Sequence, residues 1–187
     1  MKGTILMLIF LWATSLWAQD LGVHFSVLKE SFYYPSHHLV TGPIHPGIQA
    51  GVMIPTKKLN RYWDASAGFY HHSHFQNSLF LLGGYHFQYA ISDGLSWNWG
   101  PKIGYIHTFS PTGTFVHDGE QYVRKRGGRP SALMGLSAGL SYKFTESISA
   151  NTSIQTLIEG PFAPYWGVPV APHSMISLGL TYYISKP

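Results

Sequence analysis

Cysteine is absent from the 187 residues, so neither a disulfide framework nor thiolate chemistry is available. Charge is scarce as well. Asp, Glu, Lys and Arg together make 11% of the chain, where a soluble domain carries about 25%. The formal net charge of +4 is too weak and too scattered to imply a nucleic-acid partner. No phosphate-binding glycine motif opens a helix, which removes the common nucleotide-binding readings. Beyond the first twenty residues no apolar run approaches the ~20 residues of a membrane-spanning helix. What is abundant is aromatic and small: 12 Tyr, 11 Phe, 6 Trp and 20 Gly, with 12 Pro. That composition speaks against a helical bundle and for a β-rich chain whose outer surface faces lipid.

The N-terminus "MKGTILMLIFLWATSLWAQD" places Lys2 before an apolar run, Ile5–Trp12, and a small residue at Ala18. It reads as a secretory signal peptide over 1–18, leaving a single domain over 19–187.

That domain alternates with period two. Leu21–Leu28, Ile48–Ile54, Tyr62–Tyr70, Leu79–Tyr89, Leu95–Phe109, Ala132–Phe144, Ile148–Ile158 and Ile176–Ile184 each set large apolar residues against Gly, Ser, Asn, Gln and a few charges. About eight strands of roughly ten residues suit tilted strands crossing a bilayer. Small residues fit the narrow interior of an eight-stranded barrel, so the small, polar face is expected in the lumen and the large apolar face in lipid. Backbone groups within lipid must all be paired, so the sheet must close. The fold class expected is all-β: a membrane-spanning, up-and-down antiparallel β-barrel.

Connections alternate in length. Those at 56–61, 92–96 and 145–149 are short; 29–44, 110–130 and 159–174 are long, and 71–78 is intermediate. Short turns belong to the periplasm and long loops to the exterior, which would put both termini in the periplasm. Trp63, Tyr89, Trp97, Trp99, Tyr142, Phe144 and Tyr182 gather at the short-turn end, as an interfacial girdle would. In the longest loop, Asp118-Gly119 between two β-like runs suits a two-residue hairpin turn.

With "HPGIQAGV" (45–52), "GYIHTF" (104–109), "DGEQY" (118–122), "GRP" (128–130) and "SLGLTYYI" (177–184), the chain resembles the small eight-stranded outer-membrane β-barrel proteins of bacteria. The resemblance implies an outer-membrane location, contact with membrane lipid and lipopolysaccharide, and handling by the barrel-assembly machinery. Such proteins often end on an aromatic residue; here "ISKP" follows Tyr183. The resemblance implies no catalytic residues and no cofactor.

Four groups of residues remain as candidates for chemistry. "FYHHSHFQ" (69–76) carries His71, His72 and His74, which could ligate a metal or haem, or simply form a polar strand end. His71 and Ser73 would lie side by side on the lipid face, an arrangement similar to that of lipid A deacylase barrels, where a histidine activates a serine. Arg124, Lys125, Arg126 and Arg129 form a basic patch suited to lipopolysaccharide phosphates or another acidic extracellular ligand, or to a solvated loop. Asp64, Lys102, Lys143 and Glu159 point into the lumen, where buried charges must pair; Lys102 with Glu159 is one expected pairing. Most histidines, His173 included, fall at or beyond the outer rim, and only His24 and His86 lie deeper. The reading this supports is a non-enzymatic barrel acting structurally or through its outer loops, with a deacylase or metal capture as alternatives.

Overall fold

The computed structural model describes residues 21–31, 45–72, 76–109, 114–117, 119–125, 128–161 and 169–184, with backbone alone at 114–117 and 122–125. Ten strands follow one another: β1 (Leu21–Ser31), β2 (His45–Pro55), β3 (Arg61–His72), β4 (Gln76–Ser92), β5 (Leu95–Phe109), β6 (Thr114–His117), β7 (Tyr122–Lys125), β8 (Arg129–Lys143), β9 (Ile148–Gly160) and β10 (Ala171–Ile184). Eight of them close into a barrel in the order β1-β10-β9-β8-β5-β4-β3-β2, with β6 and β7 as a separate two-stranded hairpin. Every pairing is antiparallel, and β1 meets β10 from Leu21↔Ile184 to Ser31↔Ser174. Closure leaves no sheet edge, which is what a strand in hydrocarbon requires.

Each strand expected from period two is present, and most run further toward the long loops. The connections at that loop end shrink accordingly to 32–44, 73–75, 110–128 and 161–170. The opposite, terminal end carries the turns 56–60, 93–94 and 144–147. Ser92 pairs with Leu95, so Asp93-Gly94 is a two-residue connection, with Gly94 at φ 78° in the left-handed region that side chains avoid. The other Asp-Gly departs from expectation. His117 pairs with Tyr122, so four residues, 118–121, join β6 to β7 rather than two. The segment 1–18 lies outside the described residues.

The outer face matches the alternation. Phe25, Val27, Ile103, Met134, Leu136, Leu178 and Leu180 are all exposed, as are the girdle residues Trp63, Tyr89, Trp97, Tyr142, Phe144 and Tyr182. Trp99 stacks on Phe87 with ring centroids 5.0 Å apart, and Tyr89 on Trp97 at 5.9 Å. Large aromatic and aliphatic side chains exposed around a whole barrel would be untenable in water.

The lumen departs from expectation in its loop-end half. It is not uniformly small and polar: Leu28, Tyr70, Phe80, Leu82, Ile106, Leu133, Leu157 and Met175 form a buried apolar cluster. They fit because small residues stand beside them. A Cβ at Gly68 would lie 2.2 Å from Phe80 Cζ, and one at Gly47 would lie 2.6 Å from Leu28 Cδ1. Small and large side chains thus interlock in the narrow interior.

Candidate functional site

The lumen is layered. From the terminal end come hydroxyl and amide side chains, a buried ion network, an amide chain, the apolar cluster and a second ion network.

The first network centres on Asp64 of β3. Lys102 Nζ donates to Asp64 Oδ2 at 2.8 Å, and His24 Nε2 lies 3.1 Å from Oδ1. All three are buried. The register explains how they meet. Asp64 and Lys102 both pair with Gly84 of the intervening strand β4, so Lys102 reaches over a residue that has no side chain. A Cβ there would lie 3.1 Å from Lys102 Cγ and 2.9 Å from His86 Nε2. On the other flank His24 passes over Gly51 of β2, where a Cβ would fall 2.4 Å from its Nε2. Beside the network, His86 stacks on Tyr62, ring centroids 4.9 Å apart. Its two ring nitrogens are buried without a hydrogen-bond partner among the described residues. It lines a polar cavity of about 60 Å³ with Asp64, Lys102, Asn98, Asn151 and Thr181. Above it, Gln155 Nε2 donates to Gln49 Oε1 at 3.2 Å and Gln49 Nε2 to Ser66 Oγ at 2.8 Å.

The second network lies near the loop end. His173 Nδ1 is 2.9 Å from Glu30 Oε1, and its Nε2 is 2.9 Å from Glu159 Oε2. Arg129 Nη2 donates to Glu159 Oε1 at 2.6 Å. Ionised carboxylates only accept, so the two contacts are met either by a His173 that donates from both ring nitrogens or by one glutamate that carries the proton itself. The four side chains tie β1, β8, β9 and β10 together.

The structure places several of the candidate residues differently from the expectation. Glu159 pairs with Arg129 and His173, and Lys102 pairs with Asp64; the two lie in different layers of the lumen. Lys143 is exposed at the terminal rim, because β8 ends there and its inward parity no longer meets a wall. His173 lies fully buried inside the barrel rather than at the rim. Arg129 opens β8 instead of belonging to the loop, whereas Arg124 and Lys125 stand in β7 and Arg126 lies outside the described residues. Glu30 and His173 are hard to read from the sequence because β1 and β10 continue past their clear apolar alternation, to Ser31 and back to Ala171. Continuing the inward parity of Ser177, Thr181 and Ser26 by a few residues finds them.

The histidine-rich strand end splits. His71 points outward and its Nδ1–H donates to Asn77 Oδ1 at 2.6 Å. His72 turns inward and stacks on His45 of β2, centroids 3.6 Å apart and planes within 6°. Consecutive strand residues face opposite sides, so these two cannot share one ligand. Ser73 and His74 lie outside the described residues. Among the described residues no group of three His, Asp or Glu could hold a metal ion.

No protein-family model and no curated protein matches this chain. Solved structures do. Neisserial surface protein A superposes with a TM-score of 0.59 at 10% identity, over 87% of this chain and 95% of its own. This is the fold of the small eight-stranded outer-membrane barrels. Looser likenesses, at TM-scores of 0.48 and 0.46, are the N-terminal barrel domain of Pseudomonas aeruginosa OprF (15% identity; 87% and 97% covered) and the outer-membrane enzyme PagL (14%; 88% and 99%). At such identities the likeness is one of fold, and the side chains decide the rest.

Proposed function

We propose that this chain is a non-enzymatic barrel of the bacterial outer membrane, delivered by the 1–18 signal and assembled with both termini in the periplasm. It acts structurally or by presenting its outer loops to extracellular ligands. The observation that carries this is the interior, which among the described residues is occupied by two ion networks and an apolar cluster, an arrangement that supports a plugged barrel over a pore or an internal active site. What remains available for interaction is the loop end, where the β6–β7 hairpin extends the longest connection. Arg124, Lys125 and Arg126 in that connection suit lipopolysaccharide phosphates. The test is topological. An epitope tag between Asp118 and Gly119 is reached by antibody on intact cells, and one between Lys57 and Lys58 is not. The reverse labelling pattern would overturn the orientation and, with it, the role assigned to the loops.

One observation favours a second reading, an outer-leaflet lipid deacylase using His71 and Ser73. Asn77 fixes the His71 ring through Nδ1, which leaves Nε2 for a neighbouring hydroxyl. Lipid A from cells carrying Ser73→Ala, analysed by mass, decides it: restored acyl chains would establish the enzyme, and an unchanged profile removes it.

A further inference from the structure

The terminal half of the lumen has two unlike walls. On β8, β9 and β10 the inward residues are small: Ser137, Gly139 and Ser141, then Ser153, then Ser177 and Gly179. On β1, β3, β4 and β5 they are His24, Asp64, His86 and Lys102. Between the two walls lies the polar cavity of about 60 Å³. Toward the loop end it is closed. Gln49 and Gln155 are buried there, and Phe80, Leu133 and Leu157 lie fully buried beyond them. Toward the terminal end Asn98, Ser141 and Asn151 are only half-buried. The cavity is therefore a blind pocket with its mouth at the terminal end.

The unmet hydrogen bonds of this pocket are neutral ones. Its charges answer one another, since Lys102 holds one oxygen of Asp64 and His24 the other. His86 is 3% exposed, and both its ring nitrogens lack a partner among the described residues. Gln155 lines the same cavity, and its Oε1 is also buried without a partner. A neutral imidazole offers one donor and one acceptor, and an amide oxygen accepts. Such buried groups are rare and call for an occupant. The occupant that fits both donates and accepts, and it brings no charge that would upset the Asp64 network. The space holds the bulk of roughly four to six waters. A hydroxyl is one donor with two acceptor sites. Several hydroxyls on a short carbon chain thus meet His86 and Gln155 together and leave others for the serine wall.

We propose that the terminal half of the lumen is a binding pocket for a small neutral polyol of glycerol size, with His86 and Gln155 as its polar anchors. Entry from the periplasm rests on the orientation proposed above; the pocket itself does not.

The test uses the full mature chain in phosphatidylcholine nanodiscs, where both ends of the barrel are open to solvent. Saturation transfer from protein to glycerol is followed by NMR as glycerol is added. It is expected to be specific and saturable, and to be absent for sucrose, which carries the same hydroxyl chemistry in a far larger molecule. His86→Phe keeps the ring and its stacking on Tyr62 but removes both nitrogens. It should raise the half-saturating glycerol concentration at least ~10-fold. Ser141→Leu, which narrows the mouth without removing a side-chain hydrogen bond, should do the same. Leu178→Trp, on the outer face, should leave it unchanged. No saturable transfer to glycerol would overturn the proposal, the cavity then holding water only. Equal saturation of His86→Phe and the unaltered chain would overturn it too, by placing glycerol elsewhere. Transfer to sucrose as strong as to glycerol would rule out the enclosed pocket, and this comparison needs no variant to fold. Reversed antibody labelling of the two tags would overturn the periplasmic entry and leave the pocket standing.

Discussion

Lys102 reaches across a whole strand to Asp64, passing over Gly84, and closes to 2.8 Å. The contact spans β3, β4 and β5 and depends on a residue that contributes only space. Lys102→Leu leaves His24 as the remaining ion-pair partner of the buried Asp64. It should destabilise the barrel by about 3–5 kcal/mol. Adding Asp64→Leu should recover most of the loss, because the stranded charge goes with it. Urea unfolding in lipid vesicles measures both; a harmless single variant would show that the pair carries no stability.

The glycine can be tested separately from the charges. Gly84→Val keeps Lys102 and Asp64 but places carbon where the lysine stem lies, so it should unfold at lower urea than wild type. Gly83→Ala is the matched control. It faces outward, and its new Cβ meets nothing closer than 3.9 Å. Gel migration before and after heating reports how much of each variant stays folded. Equal losses in the two would remove the account of Gly84 as a bridge point.

At the loop end His173 separates two buried glutamates, at 2.9 Å from each. His173→Leu should cost about 3–5 kcal/mol by leaving Glu30 unpaired. His173→Leu with Glu30→Leu should regain stability, since Glu159 keeps Arg129 at 2.6 Å. If the double variant is no better than the single, Glu30 is not the burdened group. The same unfolding assay reads the comparison.

His86 makes a prediction about water. Its two buried ring nitrogens face a polar cavity of about 60 Å³, room for roughly four to six waters at about 10–15 Å³ each. A high-resolution crystal structure should place ordered water against at least one of them. His86→Phe, which keeps the stacking on Tyr62 and removes the nitrogens, should be tolerated or mildly stabilising. A marked loss of stability would mean that the imidazole holds a protein partner.

The fold was legible in the sequence because a barrel repeats one rule on every strand, and eight independent alternations agree. Trp63, Trp97 and Tyr182 lie where period two places them. The lumen was less legible. Which inward charge meets which depends on register between strands, and Asp64 and Lys102 are 38 residues apart in sequence. Parity puts both inside; only the shared pairing with Gly84 brings them together. Strand ends were least legible. His173 and Glu30 sit beside prolines and polar residues that read as loop, whereas pairing continues there because their partners across the sheet are already in place. Leu28 and Phe80 are illegible as lumen residues for a related reason: the glycines that accommodate them, Gly47 and Gly68, lie on neighbouring strands.

The central claim is that β10 crosses the bilayer with Leu178, Leu180 and Tyr182 toward lipid and Ser177, Gly179 and Thr181 toward the lumen. The absence of native cysteine allows single-cysteine nitroxide labels along β10 without background. In bilayers, collision with dissolved oxygen should be high at Leu178, Leu180 and Tyr182 and low at Ser177, Gly179 and Thr181. Alternation in the opposite phase, or none at all, would contradict the membrane-spanning barrel.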